Sequence, residues 1–427
     1  MPVTFCFGFS FEDVRKYGTY YVDKTGFLEE FLKRPAPVTV FTRPRQFGKS
    51  FFLTMLEAFF DREKESRALF AGLRIAANKE LCRTWMNRVP VVSFSLFTVN
   101  ASSFQAALED FAFVLQRVCS DHSGLLKNPA VDKSLKKQLA RIFSRKGPDA
   151  HILAGSLGML CSALHAHYGV PPVVLIDEYD VPVAKAGRNG YYQEMNAFMR
   201  AFWKESLFEN EHMHFAVLTG SLPFSKETLP DNVCSPDCQD VACSGYRECM
   251  GFTQSEVDRI LEEGDLVPLR DDIRGLMGGY RFGRWGESQE IYCPWCLTHY
   301  VDTRRDRDHY RIGDSWMFSS ENALFKQLAA RSPERQRLCS LLEGLVHGEC
   351  VPVHLNPAPE YDGMEPTQDN ILSVLYHFGY LTRVPGKETE TVLLKVPNQE
   401  VACCLQMDLM RWACGQKLWD FVKPIRN

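Results

Sequence analysis

Over the first two thirds of the chain, apolar positions follow two alternating rhythms. Short β-branched or apolar runs, Val38-Thr39-Val40-Phe41, Val91-Val92-Ser93-Phe94-Ser95-Leu96, Val173-Val174-Leu175-Ile176 and Phe215-Ala216-Val217-Leu218, read as strands. Between them, apolar residues recur at helical spacing over 50–60 and around 104–118, 151–167 and 192–208. Strands alternating with helices predict an α/β domain with a mainly parallel sheet. The run at 173–176, apolar throughout, is expected to be a central strand covered on both faces.

Past residue 250 the pattern changes. Thr253 and Glu256 form a capping-box signature that opens a short helix closing at Gly264, and further short helices follow. Near the end, "NILSVLYHFGYLTRV" runs from helix into strand, "PGKETE" makes a turn and "TVLLKVPN" returns as a partner strand. Helix followed by hairpin predicts a winged-helix-like unit. The expected organisation is a P-loop core over 1–250, a helical lid or sensor region over 251–317 and the winged-helix-like unit over 318–427.

Composition narrows the class. With 427 residues, 45% hydrophobic and 24% charged, the chain is expected to be globular and to hold two or three domains. A net charge of −4 argues against a strongly basic nucleic-acid binder. The N-terminus does not read as a signal peptide, and the longest apolar runs fall far short of the ~20 residues that span a bilayer. The expectation is a cytoplasmic protein without a membrane partner, in which most of the 15 cysteines are reduced thiols.

Candidate chemistry lies at the strand ends. Gly48-Lys49-Ser50 matches the end of a G-x-x-x-x-G-K-[ST] phosphate loop and sits between a strand and a helix, the context such a loop requires. The glycine that opens the common pattern would fall at position 43, which is Arg43. The third run ends in Asp177-Glu178, putting two carboxylates at the edge of a parallel sheet where ligands bind. Asp177 would hold Mg²⁺ with Ser50, and Glu178 would polarise water. Lys49 would bind the β- and γ-phosphates, and Thr219, at the end of the fourth run, would sense the γ-phosphate. Either motif alone occurs by chance. It is their order and context that point to nucleotide binding.

The sequence resembles the predicted AAA-ATPase-like family of bacterial and archaeal proteins. The loop of that family, R-P-R-x-F-G-K-[ST], is here Arg43-Pro44-Arg45-Gln46-Phe47-Gly48-Lys49-Ser50. The resemblance extends to "YYVDKT" (20–25), "LIDEYD" (175–180), "LTG" (218–220), "GFT" (251–253), "GYRFG" (279–283) and "IYCPW" (291–295). It implies ATP as the nucleotide, in keeping with the lack of an N-K-x-D guanine motif. Phosphate cradling would fall to the backbone N–H groups from Phe47 to Phe51 and to the helix start. Arg43 and Arg45 either add charge beside the phosphates or pair with acids such as Asp23 or Asp180; a phosphate contact by at least one is the expectation.

One departure stands out. Where relatives carry T-G-x-L-R, this chain has Thr219-Gly220-Ser221-Leu222-Pro223, so Pro223 replaces an arginine. The stretch from Val401 to Asn427 is too short for the restriction-endonuclease-like domain that relatives often carry, and no such nuclease is expected here. The lead expectation is a Mg²⁺-dependent ATPase. The alternatives are a non-hydrolysing nucleotide switch, or a DNA-binding component of a nucleic-acid-processing or defence system. A protein partner or a homo-oligomer is left open.

Other features weigh less. Cys234, Cys238, Cys243, Cys249 and the Cys293-x-x-Cys296 pair lack regular zinc-knuckle spacing and read as free thiols. The basic segment 133–146 and the mixed-charge segment 302–311 read as solvated surface. Tyr20 and Tyr21 either stack on adenine or pack the N-terminal segment onto the sheet.

Overall fold

The computed structural model describes residues 5, 8–143, 149–284, 286–305, 312, 323–386 and 390–410. All four predicted core strands form: β1 (Val38–Thr42), β2 (Val91–Ser95), β3 (Val173–Asp177) and β4 (Phe215–Gly220). A fifth, β5 (Asp237–Gln239), joins them. All pairings are parallel, and the order is β2-β3-β4-β1-β5. This puts β4 between the strand that feeds the phosphate loop and the strand that ends in the acids.

Both faces of the sheet are covered, which explains why β3 has no polar residue before Asp177. Val174 and Ile176 pack into one apolar cluster, Val173 and Leu175 into the other, and all four are fully buried. The covering helices include Lys49–Phe60, Phe104–Asp121, Ala150–Tyr168 and Tyr192–Trp203, the last continuing as a π-helical turn over Lys204–Phe208. The helix Lys133–Phe143 covers the first part of the basic segment; residues 144–146 lie outside the described residues.

Beyond residue 250 the helices share space with two small sheets. Strands β6 (Phe252–Thr253), β7 (Tyr280–Phe282) and β8 (Gln289–Tyr292) form an antiparallel sheet in the order β6-β8-β7. The region expected to be helical is therefore mixed. Its first helix, Gln254–Glu263, carries the expected capping box: Thr253 Oγ1 accepts from the Glu256 N–H at 3.3 Å, and the Glu256 carboxylate accepts from the Thr253 N–H at 2.7 Å. The helix Pro294–Arg305 takes up the start of the mixed-charge segment, whose residues 306–311 lie outside the described residues.

Further on, β9 (Val351–Val353), β10 (Thr382–Arg383) and β11 (Val392–Lys395) form an antiparallel sheet in the order β10-β11-β9, with the helix Gln368–His377 leading into the β10–β11 hairpin. Both small sheets contribute to one continuous core, which includes Tyr280, Ile291, Leu342, Leu372 and Leu394. Phe47, a residue of the phosphate loop, belongs to this core and not to the two clusters that flank the large sheet. Among the described residues no helix is long and apolar enough to cross a membrane.

Candidate functional site

The loop between β1 and the helix Lys49–Phe60 turns twice through left-handed backbone, at Gln46 (φ 68°) and Gly48 (φ 87°). Gly48 meets that requirement without a Cβ penalty. The turns aim the first N–H groups of a 12-residue helix at the sheet edge, where the helix dipole favours an anion. Lys49 is 5% exposed, and its Nζ donates to the carbonyls of Arg43 (3.1 Å) and Pro44 (3.4 Å), so the ammonium lies within the curl of the loop.

Asp177 bonds to the start of the helix that follows the loop. Ser50 Oγ donates to Asp177 Oδ2 at 2.6 Å, and Thr219 Oγ1 donates to Asp177 Oδ1 at 2.5 Å. One carboxylate thus joins the ends of β3 and β4 to the helix that follows β1, which the strand order makes possible. Glu178 holds a left-handed conformation (φ 52°) just beyond. Burial pushes its carboxyl above the ordinary range, helped by the charges of Asp180 and Asp177 and opposed by Lys49 and Arg45.

A cavity of about 1080 Å³ opens over Lys49, Ser50 and Glu178; Asp177 and Thr219 do not line it, and Thr219 is fully buried. Arg45, Phe47, Gly48, Lys49, Ser50, Phe51 and Glu178 line the cavity, with Tyr20, Tyr21, Lys24 and Phe9 from the N-terminal segment, Phe97, and Phe252 and Trp295 from beyond residue 250. Tyr21 packs edge-on against Phe11 and its hydroxyl accepts from the Lys24 N–H, while Tyr20 packs edge-on against Phe5. Both tyrosines have packing partners as well as a face on the cavity. Lys24 forms a salt bridge of 2.6 Å with Glu256, tying the N-terminal segment to the capping box at Thr253.

Arg43 has a different place from Arg45. It is fully buried and does not line the cavity. Its guanidinium donates to the carbonyls of Thr42 (3.0 Å), Gln239 (2.6 Å) and Tyr246 (3.3 Å), and lies 5.4 Å from the Phe282 ring centre. These are scaffold contacts; of the two arginines only Arg45 lines the cavity. Sequence spacing had no means of showing this, because β5 and Tyr246 lie roughly 200 positions downstream. The Phe47 side chain is likewise buried, 5.1 Å from Tyr280 and 5.3 Å from Phe282 between ring centres, so only its backbone is left to face a phosphate.

Two further sequence features can be located. Pro223 is buried beside Asp180, Tyr361 and Phe224, and does not line the large cavity. Cys293 and Cys296 are buried, and the Cys293 thiol donates to the Gln46 carbonyl at 3.6 Å. Among the described residues, no three His, Cys, Asp or Glu side chains come together as metal ligands.

Asp180 and Tyr361 are the pair that sequence reasoning missed. Asp180 accepts hydrogen bonds from the Ser221 and Leu222 N–H groups and from the Tyr361 hydroxyl. "LIDEYD" contains the acid, but nothing local marks a partner 181 positions away.

The chain is 28% identical over 294 residues to a protein of Azotobacter chroococcum mcd 1 described as "Uncharacterized protein in vnfD 5'region". The match covers 68% of this chain and 50% of that relative, so the chain spans about half the relative's length. A family model described as predicted AAA-ATPase matches residues 8–230, which hold the phosphate loop, the acid strand and the Thr219 strand, and the chain belongs to that family.

Proposed function

We propose that the chain binds ATP with Mg²⁺ at the β1 loop and hydrolyses it. The observation that carries this reading is the joint placement of Lys49, Ser50, Asp177 and Thr219, with Asp177 accepting from both hydroxyls. Hydroxyl and carboxylate oxygens 2.6 Å apart are a hard donor set suited to Mg²⁺, which binds through one or two carboxylates together with waters and phosphate oxygens. Ser50 and Asp177 would hold the ion, and when bound it supplies positive charge to the phosphate oxygens.

The protein's own groups account for the remaining roles. Lys49 exchanges its bonds to the Arg43 and Pro44 carbonyls for bonds to the β- and γ-phosphates, and the N–H groups from Phe47 to Phe51 cradle the chain of phosphates. Arg45 adds charge at the cavity wall. Thr219, buried behind the cavity wall, keeps Asp177 oriented and bears on the γ-phosphate through that carboxylate. Glu178, buried and with a raised pKa, takes the proton from the attacking water at its carboxylate. The helix Gln368–His377 followed by the β10–β11 hairpin supports a winged-helix-like reading of the C-terminal region.

A second reading, a nucleotide switch without turnover, is favoured by Pro223 in place of the relatives' arginine. Titrating Mg·ATP into wild type and Lys49→Ala tests the site. The variant should bind at least about tenfold more weakly, as expected for loss of a charge-assisted phosphate contact. Unchanged affinity would sink the assignment. Glu178→Gln should bind ATP and release no phosphate; if wild type also binds without releasing phosphate, the switch reading replaces hydrolysis.

A further inference from the structure

The C-terminal region reaches back to the acid strand through Tyr361. Asp180, 5% exposed, lies two residues beyond Glu178. Its Oδ2 accepts from the Ser221 N–H at 2.9 Å, the Leu222 N–H at 3.0 Å and the Tyr361 hydroxyl at 2.6 Å. Ser221 and Leu222 directly follow Thr219-Gly220, so this carboxylate anchors the end of β4. The fit is close: a Cβ at Gly220 would lie 2.7 Å from Asp180 Oδ1 and 2.5 Å from the Tyr179 ring. Only glycine allows the strand end and the acid to approach in this way.

Tyr361 is also the side chain that bridges cores. Its ring packs against both the core of the region beyond residue 250 and one of the sheet clusters. Its backbone carbonyl abuts Gly187 in the helix Val181–Asn189, where an added Cβ would lie 2.7 Å away. The helix that follows the acids is thus gripped by the same segment.

We propose that Tyr361 is a positioning residue for the nucleotide site, fixing through Asp180 the strand end whose Thr219 orients Asp177, and so making recognition of the γ-phosphate depend on the docked region beyond residue 250. This inference rests on the ATP reading above. A hydroxyl donating to a buried carboxylate is a charge-assisted bond, and its loss leaves that charge with fewer donors. The strand end then loosens at Ser221 and Leu222. The phosphate loop has its own supports, so contacts to the β-phosphate stay as they were. ATP and ADP must therefore respond differently, which a purely structural tyrosine would not produce.

Tyr361→Phe in the full chain keeps the ring and removes the hydroxyl. Hydrogen exchange at Ser221 and Leu222 should quicken about tenfold, the size expected for one charge-assisted bond. Affinity for Mg·ADP should stay within about twofold, while the preference for Mg·ATP over Mg·ADP and the rate of phosphate release fall about tenfold. An unchanged ATP-to-ADP ratio overturns the proposal, whether or not exchange quickens, because Tyr361 is then packing alone. Equal loss of both nucleotides overturns it as well. The two readings fail separately. Wild type that binds ATP without releasing phosphate ends the hydrolytic reading, and the exchange and affinity ratio still decide the role of Tyr361. Wild type that binds neither nucleotide ends both.

Discussion

Arg43 stands where the common phosphate loop has its first glycine, and the structure gives it work on the far side of the loop. Three carbonyls, from β1, β5 and Tyr246, receive its guanidinium in a site closed to solvent. Replacing it with glycine would strand those acceptors and open a void. Arg43→Gly is expected to cost on the order of 2–4 kcal/mol of stability, since hydrogen bonds to a charged group contribute about 1.5–3 kcal/mol each and removing one partner leaves the other buried and unmet. Among folded molecules the affinity for nucleotide should stay within about threefold of wild type. Urea unfolding and nucleotide titration of the variant check both halves; unchanged stability with weakened binding would return the arginine to the phosphates. Glu178 yields a second prediction at this scale. Its folded pKa lies above the ordinary value of 4.5, so the native state holds the proton more tightly than the unfolded chain does. The stability linked to that proton is fully present below the unfolded pKa and is lost as pH rises through the folded pKa. Glu178→Gln has no such proton to lose. Without nucleotide, the variant should therefore melt higher than wild type at neutral pH, with the gap closing toward pH 4, as thermal melts across pH would record. A gap that widened on acidification would contradict the burial argument.

At the scale of elements, what was legible in the sequence follows from how each element is stabilised. The four long strands could be read because burial on both faces requires continuous apolar runs, and β3 is the plainest case. Ser50 and Asp177 were legible as partners for the same reason: once the strand order is parallel, loop and acids share one edge. β5 was missed because it has three residues and a polar pattern, and exists only by pairing with β1 at Thr39, Val40 and Phe41. β6, β7 and β8, of two to four residues each, carry too few positions to display a period of two, and helical signals around them dominated the reading. The side-chain roles that escaped, those of Arg43 and Tyr361, are set by partners about 200 positions away. The capping box at Thr253 was legible because its reciprocal bonds are local.

Several contacts hold the molecule together across the cavity, among them the Cys293 thiol on the Gln46 carbonyl, the Arg43 guanidinium near the Phe282 ring, and three more. Lys24 pairs with Glu256, Phe47 is buried between Tyr280 and Phe282, and Tyr361 donates to Asp180. Each joins an element beside the cavity to the region beyond residue 250, and the Phe47 contact makes the phosphate loop itself part of that region's core. If the region beyond residue 250 could unfold alone, Phe47 would lose its packing and the loop its shape, so that region and the large sheet should melt as one. Heating the protein should give a single calorimetric transition with equal calorimetric and van't Hoff enthalpies. Ligand at about 100 times its Kd stabilises the native state by about 2.7 kcal/mol. Saturating Mg·ATP should accordingly raise that one transition, by on the order of a few degrees for a chain of this size. Lys49→Ala should melt in one step too but lose most of the ATP-induced shift. Two transitions, with only the first raised by nucleotide, would mean that the contacts at Glu256, Tyr280 and Tyr361 carry too little energy to join the region beyond residue 250 to the large sheet, and the dependence of the site on the docked C-terminal region would go with them.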